Sequence, residues 1–345
     1  MRALIKTAPG RGNVDILETD LPVPGPGEAL VRIARSGLCG TDLLVYDDVY
    51  RGRRRPVPFP LIVGHEASGE VIDLGPGTDW PAPGTRVGIE AVTGCGHCYH
   101  CVRGSYNLCQ DWHHIGLTRA GALAEFVVVP AASLLPLPDE VTLDCAAFLE
   151  PLATAAHTLE RVKPTPGTTA AIVGPGPLGF LHMQVLQAGG VGPIVVYGRA
   201  GDETRLALAA SLGAEVFLGD REAVAAHAEA FTQGIGFGVS IESGGTSSAI
   251  QSALDIVAAK GTLVSLGIIR NTDIDVLQVM RKDLTWIGVV ASVRRHFAEA
   301  IALIQSKKVR PADLITHRLM LRDALAGFDA LRQREAVKVM FSLGD

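Results

Sequence analysis

Residues 95–109 read CGHCYHCVRGSYNLC and hold four of the six cysteines in the chain: Cys95, Cys98, Cys101 and Cys109. Two Cys-x2-Cys steps let neighbouring thiolates converge on one ion, and a seven-residue return through Gly104 brings back the fourth sulfur. A redox Cys-x2-Cys pair does not explain four cysteines so spaced, and structural disulfides are disfavoured in a reducing compartment. The expected group is a zinc ion. Four thiolates leave it no open position, so this zinc is structural. His97, His100, His113 and His114 lie nearby and are read as lobe surface.

A second donor set is scattered. Cys39 stands in SGLCGTDLLVY, His65 and Glu66 in VGHEASGEV, and Glu150 in FLEPLATAAHTL. A lone cysteine is most often a small buried hydrophobe. Together, however, Cys, His and carboxylate are zinc ligands, and three protein ligands with an open corner make a catalytic zinc. Gly40 and Gly64, beside the proposed ligands, suggest close backbone approach. Cys145 is read as a buried helix residue without a role.

A third pattern concerns a nucleotide. Gly174-Pro175-Gly176-Pro177-Leu178-Gly179 follows the apolar run TTAAIV and opens the helical stretch FLHMQVLQA. In this strand–turn–helix context the first glycine permits the tight turn. The second admits a pyrophosphate to the backbone, and the third lets helix pack on strand. The helix N-terminus then offers free N–H groups to phosphate. The next strand, PIVVYG, ends at Gly198-Arg199, and no carboxylate follows until Asp202. An acid there would hold ribose hydroxyls, whereas arginine suits a 2′-phosphate. NADP is therefore favoured, with NAD possible. Ser243 and Gly267, after two later strands, complete the expected cofactor-binding set.

These residues need elements to hold them. The chain has 345 residues, 48% hydrophobic and 19% charged, enough for about two domains. ALIKTA, EALVRIA and residues 59–75, 85–91 and 123–129 alternate as short strands, so the N-terminal part is β-rich. From 143 the apolar spacing becomes helical. Strands PIVVYG, EVFLG, VSIESGG, GTLVSLG and LTWIGVV then alternate with helical stretches such as 222–231 and 246–258, the pattern of a parallel sheet with crossover helices. A helix is expected over 294–306. The fold class is α/β. The net charge of −5, with no basic block, argues against a nucleic acid partner. No apolar run approaches the ~20 residues that span a bilayer, and MRALIKTAPG does not read as a secretory leader. The expected location is the cytoplasm.

GHE at 64–66, the Cys39-Gly-Thr-Asp element, the four-cysteine lobe and the GxGPLG loop occur in the order and spacing of the zinc-dependent medium-chain alcohol dehydrogenases, which the chain resembles over nearly its whole length. CGTD, GHE and the EPL at 150–152 resemble the polyol and threonine dehydrogenase branch. YGRAGDET and ASVRRHFAEAI are more similar to glucose dehydrogenases that use NADP. The resemblance implies a GroES-like β-rich catalytic domain from residues 1–153 and 290–345 around a Rossmann domain at 154–289. It implies a catalytic zinc at Cys39 and His65, with Glu66 and Glu150 as third ligand, alternate ligand or water holder. Thr41 matches the relay hydroxyl, but Leu44 stands where many relatives carry the next relay histidine.

The implied reaction moves hydride between a secondary alcohol and a nicotinamide cofactor, giving a ketone or lactone. The alcohol would belong to a polyol, sugar, amino-polyol or hydroxy amino acid. A zinc-independent quinone or enone reductase, and a non-catalytic structural protein on the same scaffold, are the alternatives. Tyr46, Trp112, His113 and residues 290–294 are expected near the substrate. Arg51, Arg53, Arg54 and Arg55 are read first as a solvated loop or subunit contact, and alternatively as a holder of phosphate or carboxylate. A homodimer or homotetramer is implied by resemblance.

Overall fold

Short alternating stretches and long buried runs build two different kinds of sheet. The computed structural model describes residues 1–50, 52, 56–269 and 272–343. The arginines at 51 and 53–55 lie outside the described residues. The chain divides into two units. One comprises Met1–Ala153, Ala291–Gln305 and Arg310–Asp345, and the other Thr154–Val290 with Ser306–Val309.

In the first unit, strands β1 (Arg2–Lys6), β2 (Val14–Glu18) and β3 (Glu28–Gly37) lead to a short helix α1 (Gly40–Tyr46). Strands β4 (Leu61–Ile62), β5 (Glu66–Leu74), β6 (Arg86–Ile89), β7 (Val92–Thr93), β8 (His113–His114), β9 (Phe126–Pro130) and β10 (Leu134–Pro136) follow, then helices α2 (Leu143–Ala146) and α3 (Leu149–Val162). Sheet order β10-β6-β5-β3, continued by two strands from the C-terminal end of the chain and with β9 also on β3, makes a seven-stranded sheet. The closing elements of the chain, β17 (Ile315–Met320), α10 (Ala324–Arg332) and β18 (Lys338–Ser342), belong to this unit. So a C-terminal strand pairs antiparallel with β3, Met340 opposite Gly37. Val31, Ile33, Val71, Val87, Val129 and Phe341 fill the core, the inward half of each alternating strand. Strands β2-β1-β4 form a small second sheet, and β7-β8 a two-stranded one. Two-residue strands leave no period in a sequence, and β7 and β8 were not expected from it.

In the second unit, β11 (Ala170–Val173), α4 (Pro177–Ala188), β12 (Ile194–Gly198), α5 (Glu203–Ser211), β13 (Glu215–Leu218), α6 (Arg221–Phe231), β14 (Phe237–Glu242), α7 (Ser247–Ile256), β15 (Val257–Ser265), α8 (Val276–Arg281) and β16 (Thr285–Gly288) alternate. Their order, β13-β12-β11-β14-β15-β16, is that of a doubly wound Rossmann sheet, and each neighbouring pair is parallel. The first strand sits centrally, so the winding reverses beside it. Ligands of such sheets bind at the strand carboxyl ends at that switch point. All of β11 is buried, as a strand covered on both faces must be. Helix α9 (Arg294–Gln305), expected over 294–306, returns the chain to the first unit. Among the described residues no helix is long and apolar enough to cross a membrane.

Candidate metal centres and dinucleotide loop

The first cluster forms where α1 starts and β5 starts. Cys39 is the N-cap of α1, in extended backbone. Glu66, 2% exposed, opens β5, and His65, 3% exposed, stands just before it. One ligand atom from each of Cys39, His65 and Glu66 lies within 4.8 Å of the other two. Sulfur, imidazole nitrogen and carboxylate oxygen brought together in this way are a zinc donor set, since tetrahedral Zn–S and Zn–N bonds of ~2.1–2.3 Å place ligand atoms within such a distance. The residues therefore fit a metal.

Two residues that sequence reasoning missed support this cluster. Asp42, 1% exposed, accepts the Cys39 backbone N–H at 3.0 Å on Oδ2 and the Gly64 N–H at 3.2 Å on Oδ1. Its Oδ1 also lies 3.5 Å from His65 Nδ1. It thus holds the backbone beside both proposed ligands, as a carboxylate behind a metal-binding histidine does. Burial works to raise the Asp42 pKa, but His65 and the Cys39 N–H outweigh it and hold the group below the usual range. Burial likewise opposes a charge on His65, yet Asp42 and Cys39 prevail and raise it well above the ordinary value. The CGTD motif contained this signal. Its aspartate sits three residues after the N-cap, where a capping box is made.

The second is Lys338 on β18, whose buried Nζ pairs with Glu66 Oε2. Glu66 and Lys338 sit on strands that flank β3, with Gly37 opposite Glu66. A Cβ on Gly37 would fall 2.7 Å from both Glu66 Oε2 and Lys338 Cε. Only glycine lets the pair meet across the middle strand. Some 272 residues separate the partners in sequence, so no local pattern announces them.

Gly64 has φ +94, and a Cβ there would meet Leu123 Cγ at 2.6 Å. Gly40 differs from expectation: nothing lies within 4 Å of its Cβ position, and it is simply the first residue of α1. Glu150, near the start of α3, is outside the 4.8 Å group. Burial raises its carboxyl to about 7, opposed by His65 and helped by Glu66. Thr41 is half-buried, its N–H 3.4 Å from Cys39 Sγ. Tyr46 stacks on Phe328 at 5.0 Å. Arg294 is engaged with Leu134 O and Ala132 O. Cys145 is half-buried rather than buried, because its four-residue helix α2 lies near the surface.

His114 overturns its surface reading. Pairing of β7 with β8 sets it opposite Val92 and turns it inward to 7% exposure. Its ring packs edge-on against His65 at 5.0 Å and against Trp112 at 5.4 Å. Burial and the nearby His65 press its pKa down to about 3.

The four-cysteine lobe gathers the second cluster. Cys95, Cys98, Cys101 and Cys109 sulfurs lie within 4.8 Å of one another, with Cys95–Cys101 at 4.0 Å and Cys98–Cys109 at 3.8 Å. A ZnS4 tetrahedron with ~2.3 Å bonds has edges of ~3.8 Å. Backbone N–H groups of Cys95 and Asp111 point at Cys109 Sγ, each at 3.3 Å. Backbone N–H groups, that of Cys101 foremost, draw Cys98 down to about 6, while burial pushes Cys101 up to about 12. The lobe is anchored by Tyr106, whose hydroxyl donates to Glu90. All six cysteines are free thiols.

In the second unit the glycine loop joins β11 to α4, with Gly176 as N-cap and Pro177 first in the helix. Gly174 has φ +113, and Gly179 packs so closely that a Cβ would stand 2.5 Å from Gly174 O. At Gly176, by contrast, a Cβ would meet nothing within 4 Å. The loop thus has two glycines that fold it and one that leaves open room, which fits a pyrophosphate at the helix N-terminus. Leu178 O accepts from buried His182, which also bonds Thr158 at 2.8 Å. Ser243 Oγ donates to Gly174 O at 2.8 Å. Glu242, which sequence reasoning missed, is 0% exposed and accepts N–H groups of Gly245 at 2.6 Å and Gly267 at 3.1 Å. Glu242 therefore ties together the loops after β14 and β15. Gly198 ends β12, and exposed Arg199 follows. Asp202 is buried, accepts the Arg199 N–H at 3.0 Å and lies 4.0 Å from Arg205.

The chain is similar to known proteins along its whole length. Residues 25–139 match the family described as alcohol dehydrogenase GroES-like domain, and residues 177–306 match zinc-binding dehydrogenase. The chain is 34% identical over 352 residues to an L-threonine 3-dehydrogenase from Pyrococcus horikoshii, covering 99% of each. It is 30% identical over 346 residues to a sorbitol dehydrogenase from Halalkalibacterium halodurans, again covering 99% of each. Among solved structures, galactitol-1-phosphate dehydrogenase from Escherichia coli superposes with a TM-score of 0.89 at 26% identity, over 99% of this chain and 100% of that one. With relatives matched end to end and two family descriptions along its length, the chain belongs to the zinc-binding dehydrogenases, and its N-terminal part carries the GroES-like domain of the alcohol dehydrogenases.

Proposed function

We propose that the chain oxidises a secondary alcohol of a polyol, sugar, amino-polyol or hydroxy amino acid with a nicotinamide cofactor. The alcohol loses hydride from carbon and a proton from oxygen, leaving a ketone or lactone, NAD(P)H and a released proton. The observation that carries this reading is the convergence of donor atoms of half-buried Cys39 and buried His65 and Glu66 within 4.8 Å.

Cys39, His65 and Glu66 would hold a catalytic zinc, with Glu150 as alternate ligand or water holder, and Cys95, Cys98, Cys101 and Cys109 a structural one. When bound, the first zinc supplies Lewis-acid stabilisation of negative charge on the substrate oxygen, and the nicotinamide supplies the hydride acceptor. The protein supplies placement. Asp42 sets the backbone of both ligand segments, and Lys338 fixes one Glu66 oxygen. Thr41 Oγ1 takes the departing hydroxyl proton toward solvent. With Leu44 where a relay histidine would stand, the outer steps fall to water or a cofactor hydroxyl.

Residues 1–153 and 290–345 are assigned to the zinc domain, and 154–289 to the dinucleotide domain. There Gly174, Gly176, Pro177, Leu178 and Gly179 form the pyrophosphate cradle, with Ser243 and Gly267 beside it. NADP is the favoured cofactor. Gly198 offers no side chain, Asp202 is occupied with backbone and Arg205, and Arg199 is the exposed charge at this strand end. A cytoplasmic homodimer or homotetramer completes the proposal.

The test is a panel of polyols, sugars, amino-cyclitols and threonine, assayed with NAD and NADP separately on zinc-loaded protein. Turnover of at least one secondary alcohol is expected, and none would refute the reading. Arg199→Asp should lower kcat/KM for NADP about tenfold or more with little change for NAD; equal loss for both would overturn the cofactor assignment.

A further inference from the structure

His114 has no task in the reading above, yet its setting is that of a binding group. The side chain is 7% exposed and its Nδ1 donates to Ile115 O at 2.6 Å. With the proton on Nδ1, Nε2 carries a lone pair and is an acceptor. Among the described residues it has no hydrogen-bond partner. The ring is held in place. Its backbone N–H bonds Thr118 Oγ1 at 2.8 Å, and its faces and edges meet His65 at 5.0 Å and Trp112 at 5.4 Å. Nε2 is not among the fully buried atoms left without a partner, so it still meets solvent, and a ligand donor can take the place of water on it.

We propose that His114 Nε2 accepts a hydrogen bond from a second substrate hydroxyl, on the carbon adjacent to the one oxidised, so that the site selects vicinal diols over simple secondary alcohols. The inference rests on the dehydrogenase reading and adds a specificity-determining residue to it. With the His114 and His65 ring centroids 5.0 Å apart, the recognised hydroxyl is assigned to the carbon next to the one oxidised. A purely apolar side chain in this position would fill the space against Trp112 but leave that hydroxyl unbound.

The test uses full-length protein with cobalt(II) in place of zinc. Binding of butane-2,3-diol and of butan-2-ol is read from the visible absorption of the metal. The wild-type protein should bind the diol about tenfold more tightly. His114→Phe and His114→Asn should bring the ratio to about one while butan-2-ol affinity stays within about twofold. Asn keeps a donor for Ile115 O but has no atom at the Nε2 position. His114→Gln, whose amide reaches that position, should keep the preference. A diol preference that survives in both Phe and Asn variants overturns the proposal, as does its absence from the wild type. Tighter binding of 3-aminobutan-2-ol than of the diol would overturn the diol assignment by naming an ammonium donor instead. Turnover of the same alcohols with NAD or NADP is scored separately. Diol-selective binding with no oxidation of either alcohol would sink the dehydrogenase reading and leave the role of His114 standing.

Discussion

At the scale of single residues, the behaviour of the first metal cluster turns on Asp42. Its Oδ1 lies 3.5 Å from His65 Nδ1, and the carboxylate holds the N–H of Cys39 and that of Gly64. Asp42→Asn can keep only one of these acceptors. Zinc affinity at this cluster should fall ~10–100-fold, as for other carboxylates behind metal-binding histidines. Competition with a chromophoric chelator measures it, and unchanged affinity would show that the backbone holds itself. The types of Cys39, His65 and Glu66 could be read from the sequence. Asp42 was visible there only as part of a motif, and Lys338 not at all, because its partner lies on a strand from the other end of the chain.

At the scale of elements, the cysteine lobe is clasped to its surroundings by three segments. Tyr106 of the lobe donates to Glu90, just after β6, and accepts the backbone N–H of Arg294 at the start of α9. Arg294 in turn donates to Leu134 O at 2.6 Å and lies 3.6 Å from Glu90. Burial raises the Glu90 carboxyl to about 7, against the pull of Tyr106 and Arg294. A carboxyl raised on folding binds more protons folded than unfolded between its two pKa values, so stability falls as pH rises through that window. Glu90→Gln lacks the term. The wild-type melting temperature should therefore decline relative to the variant from about pH 5 to about pH 8. Parallel pH profiles for the two proteins would contradict this. Most elements were readable, since strand alternation and helical spacing are local. The exceptions include the short helices α1 and α8, the strand β10, and the two-residue strands β7 and β8, which no periodicity marks; pairing of the last two turns His114 inward.

At the scale of the whole molecule, the two clusters should have separable consequences. Cys101→Ser breaks the four-sulfur set, so bound zinc should drop from two ions per chain to one by elemental analysis. The first melting transition should fall by about 5 °C or more, because a structural zinc contributes its binding energy to folding. Dinucleotide affinity should stay within about twofold, since the glycine loop, Ser243 and Glu242 all lie in the other unit. A large loss of dinucleotide binding would contradict that independence. Taken by itself, the order of residues determined what is local. It set the cysteine spacing, the glycine turn between strand and helix, the change from alternating to helical pattern near residue 143, and the donor types available for metals. Tertiary structure alone decided which distant donors share a neighbourhood. It brought β18 beside β3 so that Lys338 reaches Glu66 over Gly37, left Glu150 outside the tight group, and placed His114 against His65. The physical reason is that side-chain proximity follows strand pairing and burial summed over the whole sheet, and those sums are not written in any short window of the chain.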